Sequence, residues 1–364
     1  MQGRFSVPFE PSPDWVEVLS ERLESIHSLF FSLFLTRVPD ARHQPRNVEA
    51  EEMAEGLARL PGPRKFALLN GRMQPVSGYR DPDLTATMAT RLESLLEAGQ
   101  IDGVVVADLF LLTALGREYP SLAACLSAQP SVNCAIDAPA RLRAWLEAAD
   151  GLGFRQPEKV VADRSLNRDP ARLNRLREWM RRNLPEAELL LLANEGCLAE
   201  CPFRATHEAM IASAESEGRV MACLDAVRDL GCLRRFHARP WTMLASPFIR
   251  PEDAAEALRR ADGLKLCGRG QGAGFLARVM DAYAAGTYRG NLLELLDTLG
   301  ELAPAWHVAN ERLPQDFARR LESCSGDCGD CGWCAVAFRR AARRVEPELR
   351  NFSFPDAKNT DLPL

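Results

Sequence analysis

The densest group of reactive side chains lies near the C-terminus, where Cys324, Cys328, Cys331 and Cys334 form a C-x3-C-x2-C-x2-C run. Small Gly and Ser residues between the thiols let the backbone fold tightly around a metal centre, and four thiolates complete the coordination of zinc or of a 4Fe-4S cubane. Structural zinc commonly uses two C-x2-C knuckles separated by a longer hairpin. Four ligands within eleven residues are closer to the ferredoxin arrangement. The spacing therefore predicts a 4Fe-4S cluster, with zinc as the alternative.

A second, looser group begins with Cys197 and Cys201, which a helical turn would place side by side. Cys223 and Cys232 follow downstream and could complete a second four-thiolate site, with Cys267 a less favoured substitute. The C-x3-C spacing alone is only suggestive, because cysteine also serves as a small apolar residue in buried helices. We predict a second cluster here, independent of the first.

Other reactive residues give weaker signals. His207 follows Cys201 by six residues and either hydrogen-bonds a cluster or is an ordinary histidine, whereas His27, His43, His237 and His307 are assigned no role. The glycines from Gly268 to Gly274 resemble a dinucleotide-binding string but lack the required βαβ context. The sequence contains no G-x-S-x-G elbow, Walker loop or H-E-x-x-H motif, which removes the common hydrolase and nucleotide-binding signatures.

Eight short apolar runs, separated by helical segments, are the predicted strands that position the reactive residues. Such alternation favours a parallel sheet, because parallel strands need helical crossovers, and eight repeats suit a closed barrel. The runs are Arg4–Pro8, Leu29–Leu35, Lys65–Asn70, Gly103–Asp108, Ala124–Gln129, Lys159–Arg164, Glu188–Asn194 and Thr242–Ile249.

The predicted fold class is α/β, a (β/α)8 TIM-barrel-like domain with a C-terminal helical, cysteine-rich extension. A doubly wound sheet is the runner-up. We place the barrel at residues 1–270, the helical extension at 271–349 and an extended tail at 350–364. Helix starts are expected after Ser12, Asp81 and Asp169, each followed by proline, and in the extension from Ala273, Leu292, Pro314 and Ala335.

Polar residues stand at the ends of several predicted strands, and in a barrel these ends converge on the C-terminal mouth, where barrel enzymes keep their chemistry. Each residue by itself could simply mark a strand entering a loop. The predicted mouth residues are Asn70, Asp108, Gln129, Arg164, Asn194, Glu195 and Arg250.

Composition excludes several classes of protein. The 364 residues are 46% hydrophobic and 26% charged, which is typical of a globular protein with a sizeable core. The net charge of −5 offers no general footprint for nucleic acid, although a local basic patch remains open. No apolar run approaches the ~20 residues of a membrane span, and the N-terminus lacks a signal peptide pattern, so a cytoplasmic location is expected. Clustered cysteines in a reduced protein point to metal or redox chemistry.

The segment from Asn194 to Arg204, with its two cysteines, resembles the cysteine-bearing segment of the collagenase-like peptidase family. Further segments resemble motifs of that family in the same order along residues 1–295: Leu126–Asn133, Val160–Arg164, Phe248–Asp253, Lys265–Arg269 and Ala282–Asn291. The chain departs from the family pattern in having Ser165 after Arg164, in having Cys267, and in carrying the C-terminal four-cysteine run.

The resemblance implies a barrel-like domain that carries a four-cysteine iron-sulfur cluster. Cys197, Cys201 and Cys232 match cluster positions, and Cys223 is the least secure match. Relatives hydroxylate ubiquinone precursors or RNA without oxygen, apparently with prephenate as the oxygen source. By this resemblance the chain is an oxygen-independent hydroxylase, or a related modifying enzyme, acting on a small molecule or RNA. Its Arg164, Arg250 and Arg269 could clamp a carboxylate-rich donor.

Two other functions stay open. The chain could be an electron-carrying or structural iron-sulfur subunit of a hetero-complex with a related protein, since related hydroxylases occur as such pairs; an electron donor is a further possible partner. Peptidase activity is less favoured, because no nucleophile and base constellation can be identified in the sequence.

Overall fold

The computed structural model describes residues 3–35, 38, 40–42, 48–217 and 219–345. The predicted tail at 350–364 and His43 lie outside the described residues. The strands are β1 (Phe5–Pro8), β2 (Ile26–Ser32), β3 (Arg64–Leu69), β4 (Gly103–Val106), β5 (Ser127–Pro130), β6 (Lys159–Val161), β7 (Glu188–Leu192), β8 (Gly263–Lys265), β9 (Trp306–Val308) and β10 (Ala342–Arg344).

Strands β1 to β8 form one parallel sheet in the order β5-β4-β3-β2-β1-β8-β7-β6, which is the order of a (β/α)8 barrel opened between β5 and β6. The predicted TIM-barrel-like fold is therefore confirmed. Inward-facing side chains of β2, β3 and β4 fill part of the barrel interior, among them Phe30, Phe66 and Val105. Strands β9 and β10 form a separate antiparallel pair.

The gap between β5 and β6 is bridged by one side chain and one loop residue. The Gln129 Oε1 accepts hydrogen bonds from the backbone N–H groups of Glu158 at 2.8 Å and Lys159 at 3.0 Å. Its Nε2 donates to the Ser127 Oγ at 2.8 Å. Arg155, just before β6, exchanges backbone hydrogen bonds with Leu126 and Ala128. The barrel is thus nearly closed, with a glutamine amide in place of strand pairing.

We expect Gln129→Met to destabilise the protein by about 2 to 4 kcal/mol, because two backbone N–H groups would lose a buried acceptor. Equilibrium unfolding in urea measures the change. Gln315→Met is the control, since Gln315 is exposed and its substitution should cost less than about 0.5 kcal/mol. Equal effects of the two substitutions would contradict the role of Gln129 in closing the barrel.

Three helices begin where a proline follows an acidic or hydroxyl cap. The side chains of Ser12, Asp81 and Asp169 each accept a hydrogen bond from the first turn of a helix whose first residue is proline. The helices are α1 (Pro13–Ser20), α2 (Ala50–Ala58), α3 (Pro82–Glu97), α4 (Leu109–Glu118), α5 (Pro120–Cys125), α6 (Pro139–Ala149), α7 (Pro170–Asn183), α8 (Arg204–Glu217), α9 (Val220–Asp229), α10 (Cys232–Ala238), α11 (Ala254–Arg260), α12 (Ala273–Ala285), α13 (Phe317–Glu322), α14 (Cys328–Cys331) and α15 (Trp333–Ala341).

The prediction of the eighth strand at Thr242–Ile249 is wrong. Residues Pro240–Ala245 form a 3-10 helix, and the eighth strand is the three-residue β8. Prolines at 240 and 247 lack the N–H groups that a central strand needs. The apolar side chains of this segment, including Met243 and Phe248, pack in a second core instead.

The second core lies beside the barrel and joins two parts of the sequence. It combines residues between Leu198 and Phe248 with residues between Leu292 and Ala341. The predicted helix from Leu292 to Gly300 is wrong, because that segment forms 3-10 turns at Leu292–Leu295 and Gly300–Leu302. Helix α12, by contrast, packs its apolar side chains into the barrel core. No helix in the described ranges combines the length and apolar character needed to cross a bilayer.

Candidate active site at the barrel mouth

A buried ion pair links the loops after β6 and β7. The Arg164 Nη1 lies 2.5 Å from the Glu195 Oε2, and both side chains are more than nine-tenths buried. The negative charge of Glu195 holds the pKa of the Arg164 guanidinium above its ordinary value despite desolvation. The Arg164 Nε has no hydrogen-bond partner among the described residues, which leaves one buried donor for a ligand.

Two further ion pairs lie at the same end of the barrel, each with its arginine in a loop after a strand. Arg42 Nη2 donates to Asp297 Oδ2 at 2.8 Å, and Arg269 Nη1 donates to Asp40 Oδ2 at 2.7 Å. The charge of Asp297, followed by that of Glu195, raises the pKa of Arg42, so the Arg42 pair is influenced by the Arg164 pair. We call the six residues of these three pairs the mouth group: Asp40, Arg42, Arg164, Glu195, Arg269 and Asp297.

The segment around Asp297 is held on the mouth by Asn194, the residue before Glu195. The Asn194 Nδ2 donates to the Leu295 carbonyl at 3.0 Å, and its backbone carbonyl accepts from the Asp297 N–H at 3.0 Å. Gly196 permits the approach, since a Cβ at this position would lie 2.5 Å from the Leu299 Cγ. The second core therefore completes the mouth of the barrel.

Asn70 and His207 also lie at the mouth. The Asn70 Oδ1 accepts from the Ala41 N–H at 3.3 Å, which connects the end of β3 to the loop that carries Arg42. His207 lies on α8, where burial and the charge of Arg42 lower its pKa while Glu195 opposes the shift. Both predicted residues are thus close to the mouth group.

Gln129 and Arg250 are placed differently from these residues. Gln129 lies inside β5, where its amide closes the barrel. Arg250 pairs with Asp253 at 3.0 Å, and its guanidinium lies 4.8 Å from the ring centre of Phe317. Arg250 therefore belongs to the contact between the barrel and the second core. The catalytic roles of both residues stay predictions.

The cysteine group that begins with Cys197 starts two residues after Glu195 of the mouth group. Burial and the charge of Glu195 raise the pKa of Cys197 to about 12, although Arg164 and Arg42 oppose the increase. Cys201 adds to this increase and also to that of Cys232, so these three thiols lie within electrostatic range of one another. Cys223 is buried, and burial alone raises its pKa. The pKa of Cys267 is set chiefly by burial, Asp297 and Glu195 rather than by another cysteine.

The C-terminal cysteines share one loop beside the second core. Burial and the other three thiols raise the pKa of Cys334 to about 11. The Arg320 Nη2 donates to the Cys331 Sγ at 3.6 Å, and the Gly326 N–H donates to the Cys324 Sγ at 3.4 Å. Positive φ angles at Gly326 and Gly332 allow the chain to turn between the thiols.

The thiols fit an iron-sulfur cluster in residue type, and those of the C-terminal loop also in the N–H groups directed at sulfur. The described residues nevertheless contain no group of three or more Cys, His, Asp or Glu side chains already arranged around one metal position. The ligand sets therefore stay predictions, with the C-terminal loop the better fit. Cys223 has the weakest structural link to its group.

Sequence reasoning missed three members of the mouth group. Asp40 and Arg42 are polar residues that follow β2. Their position after a strand is the same signal that predicts the other mouth residues. Asp297 had no such signal, because it lies in a segment that was assigned to a helix. Its partner Arg42 is 255 residues away in the sequence.

Comparison with known proteins finds one protein of similar sequence and several solved structures of low sequence identity. The chain is 29% identical over 184 residues to the uncharacterized protease MJ1657 of Methanocaldococcus jannaschii, a match that covers 50% of this chain and 53% of that protein. The chain thus spans about half the length of this relative. No family model matches the chain. This relative is named a protease, which agrees, as a similarity, with the resemblance to the collagenase-like peptidase family.

Two solved structures are similar at low identity. The U32 peptidase Mk0906 is 22% identical, with 60% of this chain and 79% of that chain covered and a TM-score of 0.43. Orotidine 5'-monophosphate decarboxylase from Sulfolobus solfataricus is 12% identical, with 59% and 99% covered and a TM-score of 0.30.

Proposed function

We propose that this chain, which resembles the collagenase-like peptidases, is an iron-sulfur enzyme that modifies a substrate at the barrel mouth by oxygen-independent hydroxylation or a related reaction. The observation that carries the proposal is the position of Cys197, which follows Glu195 by two residues and whose thiol is acted on by the charges of Arg164 and Arg42. A cluster held by this cysteine group would adjoin the buried ion pair of Arg164 and Glu195.

Different residues of the chain have different roles in this proposal. Arginine pairs with carboxylate through two parallel hydrogen bonds, so Arg164, whose Nε is unpartnered among the described residues, is suited to bind a carboxylate-bearing donor. Glu195 orients Arg164 and balances its charge when no donor is bound. Cys197, Cys201 and Cys232, with Cys223 as the fourth candidate, would hold the cluster, which when bound supplies one-electron chemistry. A small molecule or RNA is the proposed substrate.

We expect the anaerobically purified protein to contain iron and inorganic sulfide in equal amounts, at about eight of each per chain if both clusters are cubanes. Metal analysis, sulfide assay and the visible absorption spectrum measure this. Stoichiometric zinc without sulfide would overturn the proposal. Zinc confined to the C-terminal loop, with four iron atoms elsewhere, would support one cluster and the zinc alternative.

A second candidate function is that of an electron-carrying subunit. The observation that favours it is the exposure of Cys324, Cys328 and Cys331, since a cluster in this loop would lie at the surface and within reach of a protein partner. Co-purification from the native source separates the two functions. A stable complex with a related protein, together with inactivity of the isolated chain, would favour the subunit.

A further inference from the structure

A group of exposed arginines lies on the C-terminal extension, around the junction of α15 and β10. Four of them occur within six residues, at the end of the helix and in the strand that follows it. Two more lie on the segments that precede and follow β9. None of the three elements α15, β9 and β10 contains an acidic residue. We call these six residues the basic surface: Arg289, Arg312, Arg339, Arg340, Arg343 and Arg344.

Backbone hydrogen bonds bring the segments of the basic surface together. The Ala309 N–H donates to the Ala341 carbonyl at 2.9 Å, so the 3-10 turn Asn310–Arg312 leaves β9 beside the end of α15. The N–H of the first residue of this turn donates to the Gly290 carbonyl at 3.0 Å, which brings the preceding arginine to the same turn. The arginines at 289 and 312 therefore lie next to the four of α15 and β10.

The ribbon of β9 and β10 presents cations on both of its faces. Arg343 is paired in register with His307, and Arg344 with Trp306. Successive side chains of a strand point to opposite faces, so the two exposed arginines lie on opposite sides of the ribbon. The Arg344 guanidinium lies 5.2 Å from the ring centre of Trp306, a cation–π contact that positions it. Positive charge therefore surrounds the ribbon and is not confined to one flat face.

The basic surface has no counter-charges of its own. Among the residues that the structure describes, no ion-pair or hydrogen-bond partner is found for any of its six guanidinium groups. By contrast, the exposed Arg143, Arg228 and Arg259 each pair with a carboxylate on their own helix. The chain as a whole has a net charge of −5, so this concentration of positive charge is local. Its guanidinium groups are available to an external anion.

The basic surface is connected to the barrel mouth through Asn291. The Asn291 Oδ1 accepts from the Val308 N–H at 2.9 Å, and its Nδ2 donates to the Trp306 carbonyl at 3.0 Å, which holds β9. Asp297 of the mouth group follows Asn291 by six residues, and six residues span at most about 20 Å. An extended ligand can therefore occupy the basic surface and the mouth together.

We propose that the basic surface binds the phosphate backbone of an RNA whose reactive nucleotide enters the barrel mouth. The arginine fork matches the oxygens of a phosphate, and a flexible polymer of phosphates can contact both sides of the ribbon. An acidic protein, which presents one surface, would engage only one side. The choice of RNA over DNA rests on the proposed function, in which RNA is one of two candidate substrates. Phosphate binding itself follows from the arginines alone.

The test measures the fluorescence anisotropy of a labelled RNA stem-loop with the full-length protein between about 50 and 300 mM KCl. Replacing Arg343 and Arg344 by glutamine is expected to raise Kd at least about tenfold near 100 mM salt. The slope of log Kd against log salt should fall by about 1.4 to 1.8, the contribution of two phosphate contacts. Arg181→Gln with Arg182→Gln is the matched control, since this exposed pair ends α7 on the barrel, and it should change Kd less than about twofold. Equal effects of the two double variants would overturn the proposal.

A second variant guards against a structural effect of the first. The thermal unfolding midpoint of each variant shows whether it folds like the original protein. If Arg344→Gln disturbs the contact with Trp306, Arg339→Gln with Arg340→Gln decides instead. Both of these arginines are exposed, and their replacement should lower the slope by the same amount. An unchanged slope in this variant would contradict the role of the basic surface.

Two further comparisons address the class of the partner. Poly-L-glutamate of equal charge should bind at least about tenfold more weakly than the RNA. Binding of poly-L-glutamate without binding of RNA would overturn the choice of nucleic acid and favour an acidic protein. Ultraviolet crosslinking in the native cells should yield protein-bound nucleic acid that RNase removes. Absence of such material, or its removal by DNase alone, would overturn the choice of RNA.

The cluster is not needed for this binding. RNA should bind equally well to the Cys197→Ser, Cys201→Ser variant, in which the proposed cluster is disrupted. Retained RNA binding without any hydroxylation of RNA by the intact protein would contradict the proposed function and leave the basic surface in place. Hydroxylation of a small molecule by a protein that does not bind RNA would overturn this inference alone.

Discussion

Replacing Cys328 and Cys331 by serine is expected to remove about half of the bound iron and sulfide and to leave the other half in place. The four C-terminal thiols can satisfy one centre without a ligand from the barrel, and the pKa of Cys334 responds to the other three thiols of its own loop. A local loss of stability should accompany the loss of metal, because the binding free energy of a cluster in a short loop is also folding free energy. Iron and sulfide counts measure the result.

The complementary pair of substitutions, Cys197→Ser with Cys201→Ser, should remove the other half of the iron and abolish activity. Cys125→Ser is the control, since Cys125 is exposed and belongs to neither group. Loss of nearly all iron in either double variant would show that the two groups share one cluster. Unchanged iron in the first variant, with zinc lost instead, would assign zinc to the C-terminal loop.

Replacing Glu195 by glutamine is expected to destabilise the protein by about 3 to 5 kcal/mol, because Arg164 would be left as a buried charge without its partner. Both side chains are more than nine-tenths buried, so water cannot replace the carboxylate. The thermal unfolding midpoint and the free energy of unfolding in urea measure the loss. Activity should fall as well, since Arg164 would no longer be held at the mouth.

The exposed pair Arg143 and Glu147 provides the matched control, with side chains 64% and 70% exposed and an N–O distance of 3.7 Å. Arg143→Ala should cost less than about 1 kcal/mol. Replacing Arg164 by methionine together with Glu195 by leucine should recover most of the lost stability but not the activity. A destabilisation of Glu195→Gln as small as that of Arg143→Ala would show that the buried pair contributes little.

The local parts of the fold could be predicted from the sequence because their signals are local. Seven of the eight barrel strands were located from short apolar runs, and helix starts were located from a cap followed by proline at Ser12, Asp81 and Asp169. The eighth strand, Gly263–Lys265, was missed because Leu264 is its only large apolar residue, so it does not stand out as an apolar run. A stronger apolar run at Thr242–Ile249 was chosen instead, although its side chains fill a second core that the sequence did not reveal.

The sequence by itself determined the barrel class, the two cysteine groups and the polar strand ends, since each depends on residues that are close together in the chain. Only the tertiary structure decided which charges meet. It pairs Arg42 with Asp297 across 255 residues, turns the Gln129 amide into the β5 to β6 gap, and brings Lys159 and Lys265 to one small cavity inside the barrel. Such pairings depend on barrel closure and on the packing of the second core, and the free energy of burying a charge is set by neighbours that are distant in sequence.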